Sequence, residues 1–158
     1  MTLSAAIMSV IENKIFQATA VSWCIAQFLK TLSYVITHKH IKLTKAIETG
    51  IWRTGGMPSS HSAVVCSLST SVGFMEGLSS NIFVFSLFFA LVVLRDSLGV
   101  RRAAGIQAKA LNNLGKMTAE KTGFEFNTIK EIEGHSPLEV VAGGFLGIVL
   151  AICFCYPS

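Results

Sequence analysis

The feature that most constrains this chain is how its charges are spaced. Several stretches run for 14 or more residues without one. Four apolar segments result: Ile15 to about Leu29, with an extension past Lys30 to Thr37; Ala63 to Met75; Ile82 to Leu94; and Leu138 to Tyr156. A helix rises 1.5 Å per residue, so crossing a bilayer takes about 20 apolar residues. Only the fourth segment reaches that length comfortably; the others need their polar flanks. The reading is an all-α integral membrane protein, with about four transmembrane helices in a compact bundle plus a short cytoplasmic helix, forming one domain over residues 1–158.

Composition agrees. Hydrophobic residues make up 51% and charged residues 14%, against about 25% charged in an average soluble domain. Mean hydropathy is +0.58. The formal net charge of +4 would hint at nucleic acid in a soluble protein. Here the basic residues flank apolar spans, which points to topology and anionic headgroups instead, and no nucleic-acid partner is expected. Cys24, Cys66, Cys153 and Cys155 all lie in apolar stretches. They lack zinc-site spacing and the context of a disulfide framework, so buried thiols are expected. The N-terminal MTLSAAIMSVIENK has no basic region ahead of its apolar part, which argues against a cleaved signal peptide.

Two basic segments separate the apolar ones. The first, His38 to Arg53, contains HKHIKLTK. The second runs from Arg95 to Gly134. Its first part, GVRRAAGIQAKALNNLG, reads as a helix stopping at Asn113 or Gly115, and KMTAEKTGFEFNTIK reads as a polar loop. EGLSSN, Glu76 to Asn81, is a turn. Threading four helices through a membrane puts both basic segments on one side. Of 13 Lys and Arg residues, only Lys14 falls on the other. The positive-inside rule then makes the basic side cytoplasmic and leaves both termini outside, in a membrane such as the bacterial inner membrane.

Three strings and one lysine carry candidate chemistry. In GGMPSSHSA, Gly55 to Ala63, the glycines and proline form a turn. Ser59 and Ser60 can cap a helix whose free N–H groups form an anion site, with His61 in its first turn. By itself this is as readily an ordinary helix start. In RDSLGVRRAAG, Asp96 needs a partner, and the guanidiniums of Arg101 and Arg102 suit phosphate. A stop-transfer cluster explains the same residues. In EGHSPLEVVAGGFLG, Ser136, Pro137 and Glu139 fit a helix start. His135 and Glu139, four apart, can meet if the helix begins a turn earlier. Glu139 then either orients the imidazole or only completes a capping box. Gly143 and Gly147 allow close helix approach, in the bundle or at a dimer seam. Lys30 is an intramembrane cation, either functional or snorkelling from a helix end. The threading collects all these groups on one face.

The strings GGMPSSHSA, DSLGVRRAAGIQAKALNNL and GHSPLEVVAGG, in that order, resemble the divergent branch of the type 2 phosphatidic acid phosphatase family, whose superfamily includes the vanadium-dependent haloperoxidases. The resemblance covers about Ala26 to Leu150. It implies a metal-independent phosphoric monoester hydrolase without cofactors, acting on a lipid phosphate or diphosphate through a phosphohistidine. By position, His61 resembles the family's general acid and His135 its nucleophile, and Glu139 stands where the family has an orienting aspartate. Lys30 resembles the first-motif lysine, although the spacing around it differs. The family's serine and arginine seven and six residues before the nucleophile are Thr128 and Ile129 here. Arg101 and Arg102 are then expected to bind the phosphate, together with Lys30, Ser59, Ser60 and Asp96.

Two other readings stand beside this one. A non-enzymatic protein could use the same scaffold to bind lipid phosphate or to assemble in the membrane. A metal site built from His38, His40, His61, His135 and Asp96 is disfavoured, because the HKH string sits in a basic segment that repels cations. Membrane lipids are the expected surroundings, and a homodimer is reasonable for four short helices.

Overall fold

The computed structural model describes residues 2–37, 56–131 and 134–156. His38, His40 and the rest of the first basic segment, with Gly55 and Glu133, lie outside them. Among the described residues the chain is all-helical, in six helices: α1 (Leu3–Glu12), α2 (Lys14–Thr37), α3 (Ser60–Glu76), α4 (Asn81–Leu98), α5 (Val100–Thr122) and α6 (Pro137–Cys155).

The helix starts follow from side-chain chemistry. Ser59, Ser80 and Ser136 each accept a backbone N–H from the first turn of α3, α4 and α6, satisfying donors that have no acceptor within the helix. Pro137 adds a preset φ and gives up no needed donor at the start of α6. Gly123, at φ +70, closes α5 in the left-handed conformation that a side chain disfavours.

Helix α3 is the hub, packing on α2, α4 and α6, while α2 also meets α6. Its contact surfaces are small and polar rather than bulky: Ser60, Ser62, Ala63, Ser67, Ser69 and Ser71 are buried. Large apolar side chains instead point outward, among them Phe85, Phe88 and Val92 of α4 and Val141 and Phe145 of α6. This inverts the usual soluble pattern. Small residues let backbones approach closely, and two glycines take this furthest. A Cβ on Gly143 would fall on the Ser59 carbonyl oxygen, and one on Gly147 on that of Ala63. The GxxxG pattern is therefore a contact inside this chain.

Several expectations change in detail. Among the described residues, two stretches are long and apolar enough to cross a membrane: α4 with its continuation into α5, and α6. Helix α2 continues past Lys30 to Thr37, whereas α3 spans only 17 residues. Helix α5 does not stop at Asn113 or Gly115 but runs to Thr122, so half of the expected polar loop is helical. The reason lies in what Gly115 and the neighbouring Asn112 touch. Gly115 provides a flat spot for the Phe126 ring, and Asn112 turns its amide onto a neighbouring segment. Among the cysteines, Cys155 is buried, Cys66 partly so, and Cys24 and Cys153 are exposed; all four are free thiols.

Gly147→Ala inserts a methyl where no space exists. It should destabilise the bundle by about 1–3 kcal/mol, read as a fall of several degrees in unfolding temperature in detergent. Val141→Ala, on the outer face of the same helix, should leave that temperature nearly unchanged.

Candidate functional site

Segment 134–136 enters α6 with His135 just ahead of the Ser136 cap. Pro137 starts the helix, and Glu139 folds its side chain back over the first turn. One oxygen, Glu139 Oε2, accepts from the Ser136 backbone N–H at 3.1 Å and pairs with His135 Nδ1 at 2.9 Å. The Ser136 hydroxyl in turn accepts the Glu139 N–H. The sequence posed capping box and imidazole orientation as rivals, but one carboxylate does both. Nor does the helix need to begin a turn earlier, since the pair forms with His135 still outside it.

This contact fixes chemistry. An ionised carboxylate only accepts, so Nδ1 carries the proton and the lone pair of a neutral ring sits on Nε2. His135 itself is 3% exposed, and its ring neighbours that of His61. The two ring centroids stand 6.3 Å apart, with planes at 60°.

His61 reaches this position because α3 and α6 are locked at their starts. The Ser59 N–H donates to the Glu139 carbonyl at 3.0 Å, and Gly143 lies against Ser59. The Ser59 hydroxyl accepts from both the N–H and the hydroxyl of Ser62. Ser59 is therefore fully committed to structure, and its N–H is not available to an anion, contrary to the sequence expectation. In the first turn, the N–H groups of Ser60 and His61 remain as helix-end donors.

The basic residues approach from two sides. The Lys30 stem packs on Gly56, which at φ +108 takes a conformation that favours glycine. Lys30, Arg101 and Asp96 all lie within electrostatic range of His61. Asp96 binds Arg101 Nε at 2.7 Å across the α4–α5 junction, and both side chains are partly exposed. Asp96 is thus an orienter of Arg101, a role the sequence left open. Arg102 meets the site through its backbone: a Cβ on Gly134 would collide with Arg102 Cα, and its side chain is exposed. Among the described residues, no group of three His, Cys, Asp or Glu could hold a metal ion.

Sequence reasoning missed Asn112. It is buried on α5, and its amide grips the extended segment leading to His135. Nδ2 donates to the Ile129 carbonyl at 2.8 Å and to Glu131 Oε1 at 2.9 Å, while Oδ1 accepts the Ile129 N–H at 2.8 Å. The available signal was an asparagine pair in the middle of an otherwise good helix, where Asn earns no propensity. Asn112→Ala strands the paired backbone groups of Ile129. We expect faster hydrogen exchange across residues 124–131, with α6 protection retained and a loss of about 1–3 kcal/mol in stability.

Residues 11–150 match the sequence profile of the Divergent PAP2 family. The chain is also similar to the uncharacterized membrane protein YuiD of Bacillus subtilis (strain 168), with 42% identity over a 114-residue alignment that covers 65% of this chain and 72% of that protein. No solved structure matches the chain. The chain belongs to the Divergent PAP2 family.

Proposed function

We propose that this member of the Divergent PAP2 family is an integral membrane phosphatase acting on a lipid phosphate or diphosphate at the cytoplasmic interface. The observation that carries the reading is the Glu139–His135 contact, with the His61 ring standing 6.3 Å across from it. A membrane setting follows from the outward-facing apolar side chains of α4 and α6, two stretches long enough to span, and the membrane relative. The excess of basic residues in the sequence segments flanking the site supports a cytoplasmic orientation.

The chemistry runs in two steps. His135 Nε2 attacks phosphorus, the bond to the lipid oxygen breaks, and His61 gives that oxygen its proton. Glu139 holds the Nδ1 proton and offsets the positive charge that develops on the ring, as the carboxylate does in a serine-protease triad. Water, deprotonated by His61, then attacks the phosphohistidine, releasing phosphate and restoring neutral His135. Arg101, turned by Asp96, supplies its terminal amino groups to the phosphate oxygens. Lys30, Arg102 and the Ser60 and His61 N–H groups add further positive potential.

One observation favours a second reading, a lipid-phosphate-binding or assembly protein without turnover. The positions of the family's serine and arginine hold Thr128 and Ile129, and Asn112 fastens that segment by its backbone. Purified wild type should release phosphate from lipid phosphates and be inhibited by vanadate. His135→Ala should abolish release, and His61→Ala should lower it by about 10²–10⁴. Equal release from wild type and His135→Ala would refute the nucleophile. Lipid binding without turnover, surviving both substitutions, would establish the second reading.

A further inference from the structure

Helix α5 is not used by the chemistry beyond its first residues and Asn112, yet it is the most amphipathic element near the site. At 100° per residue, Val100, Ala103, Leu111, Leu114 and Met117 fall within about 120° of one another, an arc interrupted by Gln107 and, in the last turns, by Thr118 and Lys121. Val100, Leu111, Leu114 and Met117 are exposed. Asn112 on the opposite face, and Gly115 beside the edge of the arc, hold the returning segment. Lys109 and Lys116 lie outside the apolar arc and are exposed. Across its length the helix bears Arg101, Arg102, Lys109, Lys116 and Lys121 against the acid Glu120.

Its geometry says which way the apolar face turns. Only Gly99 separates α5 from α4. On the inner side of that elbow lies an open concavity of about 940 Å³, lined by Leu91, Leu94, Arg95 and Leu98 from α4 and by Val100 and Ala103 from α5. The outward apolar face of α4 thus continues around the bend into the apolar face of α5.

We propose that α5 lies in the membrane surface with its apolar face inward, and that the α4–α5 elbow holds an anionic phospholipid, its acyl chain along Leu91 and Leu94 and its headgroup at Arg95. The occupant is a lipid because the elbow joins a segment long and apolar enough to span a bilayer directly to a basic amphipathic helix, the pattern of an interfacial anchor. An anionic headgroup matches Arg95 and the lysines flanking the helix. The surface is distinct from the His61–His135 site, and its test does not depend on turnover.

The test uses the full chain in vesicles, with the native Trp23 and Trp52 changed to Phe. Leu114→Trp should be quenched by phosphatidylcholine brominated in its acyl chains and shielded from aqueous acrylamide, whereas Lys109→Trp should show the reverse. Acrylamide quenching of Leu114→Trp would mean that α5 projects into water. Protection from both quenchers would mean that protein, such as a second copy, covers the face. Either result overturns the proposal. Val100→Trp reads the elbow. Brominated phosphatidylglycerol should quench it more than brominated phosphatidylcholine at equal mole fraction, and Arg95→Gln should erase the difference. Equal quenching with Arg95 intact would overturn the anionic-lipid assignment.

Discussion

The seam between α3 and α6 is the constraint on which the rest of the site depends. Gly143 and Gly147 bring one helix backbone onto the carbonyls of Ser59 and Ala63, and the Ser59 N–H ties the two helix starts together. His61 and His135 come from sequence positions far apart, one in the first turn of α3 and one just ahead of α6, two helices that run side by side in the same direction. They face each other only because these two starts are pinned side by side. Van der Waals contact between small surfaces does this work, which suits a bundle whose exterior is apolar and gains little from burying large side chains.

A single carboxylate then sets the orientation of His135. Glu139 Oε2 satisfies a helix-end N–H and holds His135 Nδ1 at the same time. Folding and catalysis therefore share one residue in the proposed mechanism: whatever anchors the α6 cap also selects the imidazole tautomer. The economy extends to Asp96, which orients Arg101 across the elbow, and to Asn112, which steadies the approach to His135. None of these three contacts a phosphate in the account given, yet each sets where a phosphate-contacting group points.

Much of this was legible in the sequence, for identifiable reasons. The helical class followed from charge-free runs, and the helix starts from Ser59 and from Ser136–Pro137, because capping is local chemistry written in a few residues. The pairing of His135 with Glu139 was legible as an i, i+4 spacing, although not the fact that capping and pairing coexist, which depends on one oxygen serving two donors. The extent of α5 was misread because Asn113 and Gly115 resemble a helix stop, while the neighbouring Asn112 and Phe126 contacts that explain an interior Asn and Gly are tertiary. The commitment of the Ser59 N–H to α6 was invisible for the same reason. Whether Gly143 and Gly147 meet a helix of this chain or of a second copy likewise required the neighbouring helix.

The central claim is that His135, oriented by Glu139, takes the phosphoryl group. The most direct measurement is rapid acid-free quenching of the purified protein with a radiolabelled lipid phosphate, followed by mapping of the label. An acid-labile, base-stable phosphohistidine on the peptide containing His135, lost in His135→Ala, is the expected result. Phosphate release with no labelled intermediate, or with label on another residue, would contradict it.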